Sequence, residues 1–87
     1  MPKIHFRAEI FREDDLYVGI CPELNVSSFG ISIDEARSSL HEAVEAFIEE
    51  CAESGILDEV MEEAGFVKEH DTWTSRKPIT EELLSVG

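Results

Sequence analysis

One amphipathic segment constrains the fold of this chain more than any other part of its sequence. Between residues 33 and 53 the apolar side chains share one arc of a helix drawn at about 100° per residue, and glutamates occupy the opposite arc. Ser32 and Glu35 form the S-x-x-E pattern of a capping box, and Gly55 suits the end of a helix. The sequence therefore predicts a helix over residues 33–53 that packs one side against another element. The apolar arc consists of Ile33, Ala36, Leu40, Ala43, Val44, Phe47, Ile48 and Cys51.

Three strands are predicted before this helix. Residues 3–12 alternate between apolar and polar side chains, and residues 16–20 continue the pattern after a turn, which indicates a hairpin. Pro22 has no amide hydrogen to donate, so the second strand ends next to it. Residues 26–31 form a short third strand. The side chains expected on the core face of the hairpin are Ile4, Phe6, Ala8, Ile10, Leu16, Val18 and Ile20.

The pattern is weaker after the long helix. Residues 56–64 predict a short second helix that ends at Gly65, and residues 67–77 indicate a loop or a weak strand. Pro78 opens a last apolar segment at residues 79–86, where we predict a final strand, with a short helix as the alternative.

These elements predict an α+β fold with two layers, in which an antiparallel sheet carries one long helix on one face. The order of elements is β-β-β-α, a short helix, and a final strand. A length of 87 residues corresponds to a single small domain, so we assign residues 1–87 to one domain. Within it, residues 1–55 form the core, and residues 56–87 form the short helix and a strand or arm.

No group of residues has the pattern of a catalytic or metal site. Cys21 precedes a proline and adjoins Glu23, whose negative charge disfavours a thiolate, so we interpret it as a structural residue in a turn. Cys21 and Cys51 have no zinc-ligand spacing, and we expect both to be reduced, with Cys51 in the core. The three histidines also lack such spacing: they are His5, His41 and His70. We predict no catalytic residues, no metal and no cofactor.

Charge is the strongest compositional feature. Twenty acidic residues stand against seven basic ones, which gives a formal net charge of -13. A protein that binds nucleic acid without help from a partner requires a cluster of lysines and arginines, and the sequence has no such cluster. Residues 34–63 contain eleven acids and one base, Arg37. This excess fits an ordinary solvated surface and also a docking surface for a cationic partner, and both interpretations stay open.

The N-terminal sequence indicates the compartment. Residues 1–11 alternate in polarity and lack the apolar run of a secretory signal, and no segment reaches the length needed to span a membrane. We therefore expect a cytoplasmic protein that does not associate with a membrane.

The ordered motifs of residues 14–50, "DDLYVGICPELNVSSFGISIDEARSSLHEAVEAFIEE", resemble the HicB-like antitoxin family. That family has an aromatic-valine strand, a turn with proline, a glycine before the helix cap, and a helix that begins with an acid-alanine motif. The matching residues are Tyr17, Val18, Cys21, Pro22, Glu23, Leu24, Val26, Gly30, Ser32, Asp34, Glu35, Ala36 and Leu40. The resemblance covers about residues 3–52. It implies that the proline-containing stretch is a structural turn, in a fold similar to a degraded RNase-H-like core.

The resemblance also implies a role. HicB-like proteins bind and neutralise HicA-like toxins, which are small basic proteins that cleave mRNA and have the shape of a double-stranded-RNA-binding domain. The acid excess of this chain suits such a partner. The residues predicted to contact the partner are Asp14, Asp15, Tyr17, Glu23, Glu42, Glu45 and Glu49.

Two further expectations concern assembly and DNA. Many family members carry a C-terminal helix-turn-helix or ribbon-helix-helix, but residues 56–87 are too short and acidic for one, so we expect a stand-alone domain without direct DNA binding. Because small sheets tend to cover their free edges, we predict a homodimer or higher oligomer with Trp73, Ile79 and Leu83 at the contact. The alternative function is a sensor domain for a small ligand or nucleic acid that has no toxin partner.

Overall fold

The long helix forms where the sequence predicts it, in a computed structural model that describes residues 2–87. The strands are β1 (Lys3–His5), β2 (Glu9–Glu13), β3 (Leu16–Cys21), β4 (Val26–Gly30), β5 (Val67–Glu69) and β6 (Thr72–Thr74), and the helices are α1 (Ile33–Glu53) and α2 (Leu57–Glu63). The backbone N–H of Glu35 donates to Ser32 Oγ at 3.0 Å, and the Glu35 carboxylate accepts from the Ile31 N–H at 3.4 Å. The Ser32 side chain therefore satisfies an amide group that the helix start leaves free, while Glu35 reaches back to the residue before the cap. The predicted helix start is confirmed.

The α+β class is confirmed, but the strands form two three-stranded sheets where the sequence predicted one. The first sheet is antiparallel with strand order β2-β3-β4, and α1 packs on one of its faces. The second sheet has strand order β1-β6-β5. Its β1–β6 pair is parallel, and its β5–β6 pair is an antiparallel hairpin. Each of the three hairpin turns has one residue with a left-handed backbone conformation: Asp14, Asn25 and His70. Asp, Asn and His tolerate this conformation better than most other residue types.

The predicted first strand, residues 3–12, is divided between the two sheets. Its first part, β1, pairs with β6, and its second part, β2, pairs with β3. Residues 6–8 lie between them and belong to no strand. One extended segment therefore joins the two sheets, so that both contribute to a single core.

The prediction that Leu16, Val18 and Ile20 face the core was wrong. Because side chains alternate along a strand, the two sides of β3 are distinguished by Gly19, which lies against α1. A Cβ atom at Gly19 would lie 3.1 Å from the Ala36 carbonyl oxygen and 3.2 Å from Leu40 Cβ. The helix approaches the strand closely at this glycine, and the three large aliphatic side chains of β3 point to the opposite face.

Gly30 marks a second close approach between α1 and the sheet. A Cβ atom there would lie 2.6 Å from the Ala36 backbone nitrogen and 2.8 Å from the Glu35 carbonyl carbon. We expect Gly30→Ala to reduce the free energy of unfolding by about 1–3 kcal/mol or more, because the helix backbone must move away. Urea unfolding measures the change, and Ser28→Ala on the same side of β4 is the control. Equal midpoints for the two variants would show that α1 does not pack here.

The C-terminal region differs most from the prediction. Residues 67–77, expected to be a loop or weak strand, contain the β5–β6 hairpin, and residues 79–86 form neither the predicted strand nor the alternative helix. The hairpin takes the place of the predicted last strand because it buries Trp73, which is only 2% exposed. Trp73 is therefore a core residue and not the surface contact that we predicted, whereas Ile79 and Leu83 are fully exposed.

A single hydrophobic core joins α1, α2 and the β5–β6 hairpin. The short helix, predicted over residues 56–64, contributes Leu57 and Met61, and the chain after it contributes Phe66 and Trp73. The buried residues of α1 in this core are Leu40, Val44, Ile48 and Cys51, and Cys51 is buried as predicted. Phe47 of the predicted arc packs at the margin of the core, and Ile33 is exposed.

Candidate protein-binding surface

The solvent side of α1 carries a row of carboxylates, which we call the acidic ridge and define as Glu42, Glu45, Glu49 and Glu53. Successive members are three or four residues apart, so they are neighbours on the helix surface. All four are exposed, because the opposite side of the helix packs on the sheet. The ridge contains three of the residues predicted to contact a partner, and the structure brings these three together.

The ridge does not stabilise the helix on which it lies. Carboxylates at i,i+4 repel one another and destabilise a helix by about 0.2–0.5 kcal/mol per pair. Acids near the C-terminal end also oppose the helix dipole, and the last turn of α1 contains no basic residue. A charge arrangement that is unfavourable for stability is typical of surfaces that serve a function such as binding.

No cation of the described residues neutralises the ridge. In residues 34–63 the ion pairs are Arg37–Asp34 at 2.7 Å and one from Lys68 to Asp58 at 3.6 Å. Neither involves a ridge carboxylate. The ridge therefore presents four unpaired negative charges along about three turns of helix, which suits a partner with a row of lysines or arginines.

A second group of predicted contacts lies in the turn between β2 and β3. Asp14 and Asp15 are exposed there, and the Asp14 carbonyl oxygen accepts a hydrogen bond from Arg12 Nε at 3.2 Å. Tyr17 follows at the start of β3, where it is half-buried and has the Arg12 guanidinium 6.0 Å from its ring centroid. The turn acids are free to meet a partner, but they lie on a separate element from the acidic ridge.

Glu23 differs from the other predicted contacts. Its side chain is only 17% exposed, and its Oε2 lies 3.4 Å from Arg7 Nε. Arg7 also pairs with Glu9 at 3.4 Å and with Glu81 at 3.1 Å. Glu23 is thus the most buried member of an ion-pair cluster around Arg7, and its charge is already paired within the chain.

A polar cavity of about 380 Å³ opens beside this cluster. The charged side chains that line it are Arg7, Glu23, Arg76, Lys77 and Glu81. It contains three of the seven basic residues of the chain, and two of them, Arg76 and Lys77, form no ion pair within residues 2–87. Sequence reasoning missed this cavity because its residues come from segments almost seventy positions apart.

Cys21 lies next to this cluster and is fully buried. Burial raises the pKa of its thiol, and the negative charge of Glu23 raises it further, whereas backbone hydrogen bonding at Leu24 acts in the opposite direction. The thiol therefore stays protonated at neutral pH, which agrees with the structural role predicted from the sequence.

We expect Cys21 in folded Cys51→Ser protein to react with a maleimide at neutral pH far more slowly than a free thiol does. The reaction requires a thiolate, and burial both raises the pKa and blocks access. The same variant unfolded in urea is the control, and it should react at the ordinary rate. Equal rates in the folded and unfolded protein would refute the structural assignment.

Within residues 2–87, no three side chains of the His, Cys, Asp and Glu types lie close enough together to hold a metal ion. No helix of this region has the length and apolar character required to cross a membrane. Comparisons with protein-family models, with curated proteins and with solved structures found no match to this chain.

Proposed function

We propose that this chain is a non-catalytic, HicB-like antitoxin that binds and neutralises a small basic HicA-like toxin in the cytoplasm. The observation that carries the proposal is the acidic ridge, an exposed and unpaired row of glutamates that weakens the helix bearing it. A surface that reduces stability and concentrates negative charge is explained by a partner with the opposite charge.

Electrostatics supports this type of partner. With a formal net charge of -13, the chain repels other acidic molecules and attracts basic ones before contact. A small mRNA-cleaving protein must itself be basic where it holds the phosphates of its substrate. An acidic helix that binds the same basic surface would compete with RNA, so binding alone would inhibit cleavage without any chemistry by the antitoxin.

The fold is compatible with the family resemblance. Strands β2, β3 and β4 followed by α1 form the β-β-β-α unit that the resemblance implies, and the turn Pro22–Asn25 separates two strands as expected. The relation of this unit to an RNase-H-like core is part of the proposal, as is the absence of catalytic activity.

Affinity purification followed by a cleavage assay tests the proposal. The immobilised chain is expected to retain a basic protein of small size at low salt and to release it at high salt. The released protein should cleave RNA, and an equimolar amount of the chain should stop that cleavage. A retained protein without RNA-cleaving activity, or cleavage that continues in the presence of excess chain, would contradict the antitoxin function.

The polar cavity favours a second candidate function, the sensing of a small anionic ligand. Arg76 and Lys77 line the cavity, and neither forms an ion pair within residues 2–87. Titration of inorganic phosphate and nucleoside monophosphates against the melting temperature tests this function, with Arg76→Gln/Lys77→Gln as the matched variant. Stabilisation that requires both basic residues would favour the sensor, and no stabilisation would exclude these ligands.

A further inference from the structure

The face of the β2-β3-β4 sheet opposite α1 is uncovered and apolar. We define this outer sheet face by Phe11, Leu16, Val18, Ile20 and Phe29. The register places Phe11, Val18 and Phe29 side by side in one row across the three strands. Phe11 is 51% exposed and Phe29 is 64% exposed. Antiparallel sheets in small domains often leave one face to water, but that face is then usually polar.

We propose that the outer sheet face is the interface of a symmetric homodimer, in which two copies pack their sheets face to face. The proposal stands independently of the antitoxin function.

The exposed area matches the requirement of a dimer. Phe11, Leu16, Phe29 and the adjoining Ile31 together expose the equivalent of more than two complete side chains. At about 150–250 Å² for each large side chain, this is on the order of 450 Å². A standard interface takes about 800 Å² from each partner, and homodimer interfaces are about 65% apolar. The outer sheet face supplies most of that apolar share.

The row of side chains is self-complementary. From β2 to β4 the row is Phe11, Val18 and Phe29, so a small side chain lies between two large ones whichever end of the row is taken first. A two-fold axis parallel to the strands and above Val18 sets Phe11 of one copy against Phe29 of the other. Packed sheets lie about 10 Å apart with their side chains interdigitated, and a two-fold dimer requires such a self-matching patch.

The charges on the face agree with the same axis. The outward positions of the three strands carry two carboxylates, both on β2: Glu13, and Glu9, which also pairs with Arg7 at 3.4 Å. The outward positions of β4 are Ser27 and Phe29, which are uncharged. The axis sets the acidic strand of each copy against the uncharged strand of the other, so two highly acidic chains can meet without close repulsion. The acidic ridge lies on the opposite side of the sheet and stays free for another partner.

Analytical ultracentrifugation of the full chain at tens of micromolar tests the proposal. The wild type is expected to be a dimer, and Phe11→Thr/Phe29→Thr is expected to weaken the dimer by about a hundredfold, because aromatic residues dominate such contacts. The control is Ile79→Ser/Leu83→Ser, which removes equally exposed apolar side chains elsewhere and should stay dimeric. A monomeric wild type, or a dimer lost only in the control, would overturn the proposal.

A second pair of variants tests the axis without removing apolar side chains. Ser27 is exposed and lies across from Glu9 of the second copy in the proposed dimer. At low salt, Ser27→Lys should give a tighter dimer than Ser27→Glu, because the Glu9 carboxylate that faces position 27 is only partly neutralised by Arg7 at 3.4 Å. Equal dissociation constants for the two variants would overturn the arrangement. This pair also decides the matter if the double threonine variant fails to fold.

Discussion

Trp73→Ala is expected to reduce the free energy of unfolding by about 3–5 kcal/mol, the usual loss for a large buried aromatic side chain. Trp73 is 2% exposed and packs with Met61 and Phe66 in the core. It also sits in the central strand of its sheet, paired with Ile4 on one side and Lys68 on the other. Small domains have a total stability of only about 5–15 kcal/mol, so this loss is a large fraction of the whole. Urea unfolding followed by circular dichroism measures the loss.

Trp73→Phe is the matched control. Phenylalanine keeps most of the apolar volume, and it removes the indole N–H, which is buried without a hydrogen-bond partner. Because that buried donor itself carries a cost, we expect this variant to lose no more than about 1–2 kcal/mol. A Trp73→Ala protein with the stability of the wild type would mean that the β5–β6 hairpin does not close the core.

Trp73, which we predicted at a surface contact and which is buried, shows why the C-terminal region was hard to predict from sequence. Trp73 is surrounded by polar residues, so no apolar period marks it, and its burial depends on β1, which is almost seventy residues away. Residues 79–86 are richer in apolar side chains and looked like the better strand. Which segment pairs with β1 is decided by long-range packing, and local pattern carries little information about it.

The first half of the chain shows both the strength and the limit of local pattern. The long helix was predictable at both ends, because its capping box and its apolar arc are local features. The side of β3 that faces the core was not predictable. Residues 16, 18 and 20 and residues 17, 19 and 21 form two alternating sets, and both are compatible with burial. Gly19 carried the missing signal: a glycine in a strand often marks a close approach by another backbone.

The candidate binding surface also has one part that local sequence predicts and one that it does not. The acidic ridge could be predicted from helical spacing alone, since an exposed face follows from knowing the buried one. The ion pairing of Glu23 could not, because its partner Arg7 comes from the segment between β1 and β2. Contacts between charges distant in sequence are set by the fold, so sequence alone grouped Glu23 wrongly with the free surface acids.

The second large effect is expected from reversing the charge of the ridge. Glu42→Lys/Glu45→Lys/Glu49→Lys should slow association with the proposed basic partner by about 10–100-fold at low salt, because steering by opposite charges contributes factors of this size. The melting temperature should stay constant or rise a little. Repulsion between lysines replaces repulsion between glutamates at positions 42, 45 and 49, but the negative charge of the whole chain falls, and a lysine at position 49 attracts Glu53 and the C-terminal end of α1. Stopped-flow fluorescence and thermal unfolding measure the two quantities.

The turn acids provide the matched comparison. Asp14→Lys/Asp15→Lys changes the net charge in the same direction on a different element of the fold. If the ridge is the docking surface, this variant should slow association much less per charge than the ridge variant does. Equal slowing per charge would assign the effect to net charge alone, and a slower turn variant would move the docking surface to the β2–β3 turn.

The dependence of the association rate on ionic strength tests the central claim most directly. The wild type and the ridge variant are mixed with the proposed basic, RNA-cleaving partner, once purified, over a series of salt concentrations. We expect a steep decrease in the wild-type association rate as salt screens the charges, and a shallow or reversed dependence for the ridge variant. Equal rates and equal salt dependence for the two proteins would contradict it, because the acidic ridge would then have no part in binding.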